Sequence, residues 1–212
     1  MQNGTVMLES QFEWGVASRA FPGEKASGDL HLVKALPGGV LLAAVDGLGH
    51  GPEAAAAATT AVAILQNHAD EPLPALVTRC HDAMKEARGV VMTVARLGGD
   101  GQLTWLGIGN VEVLLFRADR RAVPAIERLL LDRGLVGFQL PSLRARTMYI
   151  APGDLLVFAT DGVSAGFVDG LIRSDPPQRL ADRILDRHFR GIDDALVLVV
   201  RYHGASHEQS RR

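Results

Sequence analysis

A chain of 212 residues, 47% hydrophobic and 22% charged, is long enough to bury one substantial core and has an ordinary globular composition. Its formal net charge of −2 offers no basic footprint for nucleic acid, and no apolar run approaches the roughly 18 residues that mark a membrane span. A single cysteine, Cys80, excludes an intrachain disulfide framework and fits a reducing compartment.

The opening stretch MQNGTVMLESQFEW lacks the basic start and apolar core of a signal peptide. These features predict a cytoplasmic, soluble single domain over residues 1–203, with a disordered tail over 204–212. Strands are predicted at Phe12–Ala17, Leu30–Leu36 and Val40–Val45, the last two joined by the turn LPGG. Pro52 and Glu53 mark the first turn of a helix running to Asn67, because proline suits the first helical position and an acid complements the dipole. A second helix is predicted from Ala75 to Ala87. Leu73, Leu76, Val77, Cys80 and Met84 fall on one stripe there, so Cys80 reads as a core thiol.

From Gly89 the period changes. VVMTVARL, QLTWLGI and VEVLLFR are strands joined by the hairpin signals GGDG and GN. Residues Ala118–Arg144 show no sustained period. Strands resume at RTMYI and DLLVFAT, a helix is predicted over Pro177–Phe189, and ALVLVVRY is the last strand. Hairpin-linked strands with grouped helices are not a βαβ alternation. They predict an α+β fold, sheet packed on sheet with helices outside.

The stretch LLAAVDGLGHGPEAAAAATTAV passes from strand through glycines into helix, as nucleotide-binding turns do. A dinucleotide fingerprint fails here, because its third glycine position holds Pro52, and no Lys-Ser/Thr pair follows the glycines. The strand ends on Asp46 instead. Asp161 and Gly162 end another apolar strand, Asp193 and Asp194 begin the last one, and Asp29 begins an early one. Any one of these acids is well explained as a cap or turn former. Four such sites, each at the end of an apolar strand, point to convergence at one rim. Two negative charges about 4 Å apart repel by about 4 kcal/mol at an effective dielectric of 20. Either their pKa values rise or a cation lies between them, and all-oxygen ligands suit Mg²⁺ or Mn²⁺.

The ordered set SGD, VDGLGHG, GIGN, TDGV and DDA, spread from Ser27 to Val200, resembles the metal-dependent type-2C protein phosphatases. Within them it looks most like the SpoIIE branch and its short stressosome phosphatases. CHDAMKEARGVVMTVARL followed by WLGIGNVEVLLF carries that nearer likeness. The resemblance implies an αββα sandwich, two antiparallel sheets flanked by helices on both outer faces, and two Mn²⁺ or Mg²⁺ ions at one edge. By position, Asp46 would bridge the ions and the Gly47 carbonyl would bind one. Asp161 and Asp193 would complete one shell, and Asp29 would assist at the other. An activated water would attack phosphorus in line on phosphoserine or phosphothreonine. The implied substrates are phosphorylated STAS-domain proteins of a stressosome or partner-switching module, with neither nucleic acid nor membrane as partner. The alternative is a catalytically silent scaffold of the same fold that binds a regulatory partner; the complete acidic set argues against it.

The sequence also departs from the better-known members. Leu48 stands where they carry a histidine, and Lys25 and His50 are the nearby candidates for phosphate contact, His50 reading first as a loop residue. Gly109-Asn110 replaces a Gly-Asp associated with a third ion, so two metal sites are expected. Leu196 replaces a common threonine. Arg117, Arg120 and Arg121 read as a solvated hairpin end, with an acidic partner as the alternative. His203 and His207 lack the glutamate of a zinc-protease helix and read as solvated, and Trp14 and Trp105 read as core or sheet residues.

Overall fold

The computed structural model describes residues 11–85 and 88–204. Alternation along one strand sets its layers. In β3 (Gly39–Gly47), Val40, Leu42 and Ala44 enter a core shared with the opposite sheet, while Leu41, Ala43 and Val45 face helices. A strand buried on both faces needs this unbroken apolar run.

One sheet orders β2 (Asp29–Leu36), β3, β4 (Val90–Gly98), β5 (Gln102–Ile108) and β8 (Arg146–Tyr149). The other runs β1 (Phe12–Arg19), β10 (Ala195–Tyr202), β9 (Leu155–Ala159), β6 (Glu112–Phe116) and β7 (Ile126–Arg128). The pairings within both sheets are antiparallel. Leu97, Trp105, Leu115, Phe158 and Leu198 fill the space between them.

Helices α1 (Pro52–Asn67) and α2 (Leu73–Ala83) cover the first sheet, with Ala58, Ala61, Leu65, Leu76 and Cys80 against its outer face. Helix α3 (Pro177–His188) covers the second through Leu180, Ala181, Ile184 and Leu185. The molecule is therefore the predicted α+β sandwich with helices on both outer faces. No helix among the described residues is long and apolar enough to cross a membrane.

The alanine face of α1 has a purpose at the rim. A Cβ placed on Gly47 would stand 2.3 Å from the Ala54 carbonyl oxygen, so helix and strand approach as closely as their backbones allow. Gly51 precedes the helix at φ 81°, and Pro52 occupies its first turn as predicted.

Several boundaries shift. Helix α2 begins at Leu73, following Pro72 in extended backbone, and ends at Ala83; the predicted end at Ala87 lies outside the described residues. So do the opening segment 1–10, all of the predicted tail 204–212 beyond Gly204, and His207. A short 3₁₀ turn at Ala165–Val168 was not predicted. Residues 118–144 contain β7 and single-residue bridges, Ile108 with Asp132 and Val90 with Val136. Pairings this short leave no period to read. Cys80 is buried, and burial pushes its thiol up to about 12, as a core cysteine requires. Trp105 is buried, whereas Trp14 lies half open on the sheet edge beside His31.

Candidate metal centre

Strand polarity brings the acids together. In an antiparallel pair, the start of one strand lies beside the end of its neighbour. Asp29 opens β2 and Asp46 closes β3, and the two are direct cross-strand partners. Asp161 follows β9 and Asp193 precedes β10, the neighbouring strand of the other sheet. The two sheets meet at this rim through Thr160, whose hydroxyl donates to Asp29 Oδ2 at 2.7 Å.

The carboxylates sense one another. Burial raises Asp46 to about 9, and the nearby charges of Asp29, Asp161, Asp193 and Asp194 push the same way. Asp29 is pushed up to about 7, first by burial, with the Thr160 hydrogen bond opposing and Asp194, Asp161 and Asp193 adding to the rise. Asp193 is also raised, again chiefly by burial. This is the electrostatic cost that the sequence predicted for converging acids.

Adjacent Asp193 and Asp194 divide their roles. Asp194 is buried, with Oδ1 accepting from the Phe21 N–H and Oδ2 from the Gly28 N–H, both at 2.7 Å. It clamps the β1–β2 loop to the head of β10. Among the described residues, Asp193 Oδ1 accepts only from the Asp194 N–H, at 2.8 Å, and Asp193 is less buried. A Cβ on Gly162 would stand 1.9 Å from the Asp194 carbonyl oxygen, so the two rim turns pack with no space for a side chain.

The donor chemistry fits hard divalent cations: carboxylates, the Gly47 carbonyl, and no thiol or imidazole at the strand ends. Among the described residues, no three His, Cys, Asp or Glu side chains stand gathered around a single ion position. Two of the acids lean on neighbouring donors: Thr160 holds Asp29, and the Asn110 amide nitrogen donates to Asp161 Oδ2 at 2.9 Å.

The remaining candidates separate. His50 stacks on Phe21 with ring centroids 4.2 Å apart, and its Nδ1 lies 3.2 Å from Glu24 Oε1, a loop-fixing role. Lys25 is exposed on the same loop. His203 pairs with Glu13 at 3.4 Å, far from the rim in sequence order and at the opposite end of β10. Arg117, which follows β6, bonds Asp154 and Glu127, each at 3.2 Å. Phe116 at the end of β6 pairs with Leu155 at the start of β9, so this arginine cluster lies at the opposite end of the sheet from Asp161.

Sequence reasoning missed Thr160 and Arg190. Thr160 sits beside Asp161 in FATDG, yet its role depends on the opposite sheet. The Arg190 guanidinium donates to the Asp161 carbonyl at 3.1 Å across 29 positions, a proximity that local spacing does not reveal.

The family described as Stage II sporulation protein E (SpoIIE) matches residues 37–203. Phosphoserine phosphatase RsbX of Bacillus subtilis (strain 168) is 30% identical over 94 residues, 44% of this chain and 47% of its own length. The match thus spans about half the length of that curated relative. A structure described as "The bacterial stressosome: a modular system that has been adapted to control secondary messenger signaling" superposes with TM-score 0.81 at 30% identity, covering 90% of this chain and all (100%) of that one. RsbX in complex with magnesium gives TM-score 0.79 at 20% identity, covering 91% of this chain and 96% of that one, and speaks for the fold.

Proposed function

The chain belongs to the SpoIIE family, and from that premise we propose that it is a metal-dependent phosphoserine/phosphothreonine protein phosphatase serving stress-response signalling. The observation that carries the reading is the rim itself: Asp29 facing Asp46 across a strand pair, both raised by burial and by neighbouring acids. Burying repelling carboxylates is unfavourable unless a cation offsets them.

Bound Mg²⁺ or Mn²⁺ would supply charge neutralisation and an activated water. Asp46 and Asp29 would hold the ions from the first sheet, with the Gly47 carbonyl as a further ligand. Asp161 and Asp193 would hold them from the second. Thr160 fixes the direction of Asp29, and Asp194 fixes the loop that carries it. The close packing at Gly47 and Gly162 holds the ligand turns without intervening side chains. Leu48 cannot donate a proton, so these residues provide no general acid at that position for the leaving serine or threonine oxygen.

The substrates we propose are phosphorylated STAS-domain regulators of a stressosome or partner-switching module. Support comes from the likeness to RsbX and to the stressosome structure. Release of phosphate from a generic aryl phosphate, with and without added Mn²⁺ or Mg²⁺, tests the chemistry. Activity that needs the ion and stops with chelator is expected; full activity after the metal is stripped would overturn the reading.

A further inference from the structure

Beside Asp161 the rim opens into a cleft of about 320 Å³, lined in part by Asn110, Thr160, Asp161, Ser164 and Arg190. That is the lower end of the roughly 300–1,000 Å³ found for small-ligand sites. A phosphorylated serine or threonine side chain is smaller and has room to enter it.

Arg190 is stationed there by its backbone. Residues 188–190 run beside 162–164. The Ser164 N–H donates to the His188 carbonyl at 2.8 Å, the Arg190 N–H donates to the Gly162 carbonyl at 2.9 Å, and Val163 bridges Phe189. This short ladder grips the turn that carries Asp161. Gly191, at φ 68°, then turns the chain toward Asp193. The Arg190 backbone is thus tied to the turn that carries Asp161 and lies three residues before Asp193.

Its bonding leaves capacity for a ligand. Among the described residues the side chain makes one hydrogen bond, to the Asp161 main-chain carbonyl. The head is exposed and lines the cleft. A guanidinium has five N–H donors in a planar fork that matches two phosphate oxygens at once. Two other arginines at this end are differently placed: Arg88 pairs with Glu53 at 2.6 Å and donates to the Leu48 carbonyl at 3.1 Å, and Arg19 pairs with Asp186 at 2.9 Å and lies over the Phe189 ring.

We infer that Arg190 is the phosphate-binding residue of this site, and that the cleft beside Asp161 receives the phosphoryl oxygens of a phosphomonoester dianion. This rests on the phosphatase function proposed above and names a further residue for it. Lys25, in the β1–β2 loop, and His50, in the turn after Asp46 and engaged with Glu24, are then not the principal phosphate contacts. One anion would be held by the Arg190 guanidinium on one side and, on the other, by the divalent ions that the acids would bind, which would orient phosphorus for in-line attack.

The test uses inorganic phosphate as probe. Wild type, Arg190→Ala and Arg190→Lys are titrated with phosphate by calorimetry in the presence of Mg²⁺, and phosphate inhibition of aryl phosphate hydrolysis is measured alongside. Arg190→Ala should weaken phosphate binding and inhibition at least tenfold and raise KM in parallel, with a smaller change in kcat. Arg190→Lys should fall between, since lysine keeps the charge and loses the fork. Melting temperature should stay close to wild type. Unchanged phosphate affinity in Arg190→Ala overturns the proposal, as does a loss matched by a fall in melting temperature, which would mark the residue as a brace for the Asp161 turn. Failure of the phosphatase reading is separable, because it appears as an inactive wild type.

Discussion

Thr160 joins the two sheets at the rim: its hydroxyl donates to Asp29 Oδ2 at 2.7 Å and accepts from the Leu196 N–H at 2.8 Å. A buried hydroxyl with both capacities in use fixes one Asp29 rotamer. Thr160→Val keeps the shape and removes both bonds, leaving a buried N–H without that partner at a cost of about 1–3 kcal/mol. Urea unfolding should show that loss. The Mn²⁺ concentration for half-maximal activity should rise several-fold, and Thr160→Ser should restore it. An unchanged metal requirement in Thr160→Val would remove Thr160 from the positioning of Asp29.

Crowded carboxylates also set the pH dependence of stability. Asp46 titrates at about 9 in the folded protein against an ordinary 3.8, so the folded state holds its proton more tightly than the unfolded one. Its stabilising contribution is full below the ordinary value and is lost as pH rises through about 9. Asp29 acts in the same direction, up to about 7. Without bound metal, melting temperature should therefore fall steadily between about pH 4 and 9. Asp46→Asn is neutral throughout and should flatten most of that slope while abolishing turnover. Asp193→Asn should likewise abolish turnover, and metal-free stability should hold or rise. A marked fall in stability with normal activity would make these residues caps instead.

Much of this was legible in the sequence because it is local. The apolar, valine-rich runs VVMTVARL and ALVLVVRY give strands, and Pro52 after glycines gives the start of α1. The acids stand out because each interrupts an apolar run at its end. What could not be read depends on contacts between distant segments. Asp193 and Asp194 are chemically identical neighbours, and only the fold shows that Asp194 spends both oxygens on the N–H groups of Phe21 and Gly28. The Arg117 cluster reads as a solvated hairpin end in sequence, and only the fold shows Arg117 itself paired with Asp154 and Glu127.

Metal binding should oppose the same titration. Divalent ions require ionised ligands, so binding releases protons from Asp29 and Asp46. Calorimetry at pH 7 in buffers of different ionisation enthalpy should report that release. It should shrink in Asp46→Asn. Saturating Mn²⁺ should also stabilise the fold, by about 2.7 kcal/mol at a hundredfold excess over Kd. Binding with no proton exchange would place the ion elsewhere.

Substrate docking should depend on the segment that borders the rim. Val136 bridges Val90, and the adjacent Gly89 carbonyl accepts from the Leu48 N–H at 3.0 Å, so residues 135–139 lie beside the turn that follows Asp46. Phe138 on that segment is 80% exposed, and Ile192, next to Asp193, is 60% exposed. Large apolar side chains left open around a polar site favour contact with a folded surface over a short peptide. An intact phosphorylated STAS domain should therefore be dephosphorylated at least ~100-fold more efficiently than its excised phosphopeptide, about 2.7 kcal/mol of transition-state binding. Phe138→Ala should lower kcat/KM on the domain and leave hydrolysis of a small aryl phosphate unchanged. Charge reversal at Arg120 and Arg121, at the far end of the sheet, should change neither. Equal efficiency on peptide and domain would show that recognition is confined to the phosphorylated residue, and sensitivity to Arg120 and Arg121 would move the docking face away from the rim.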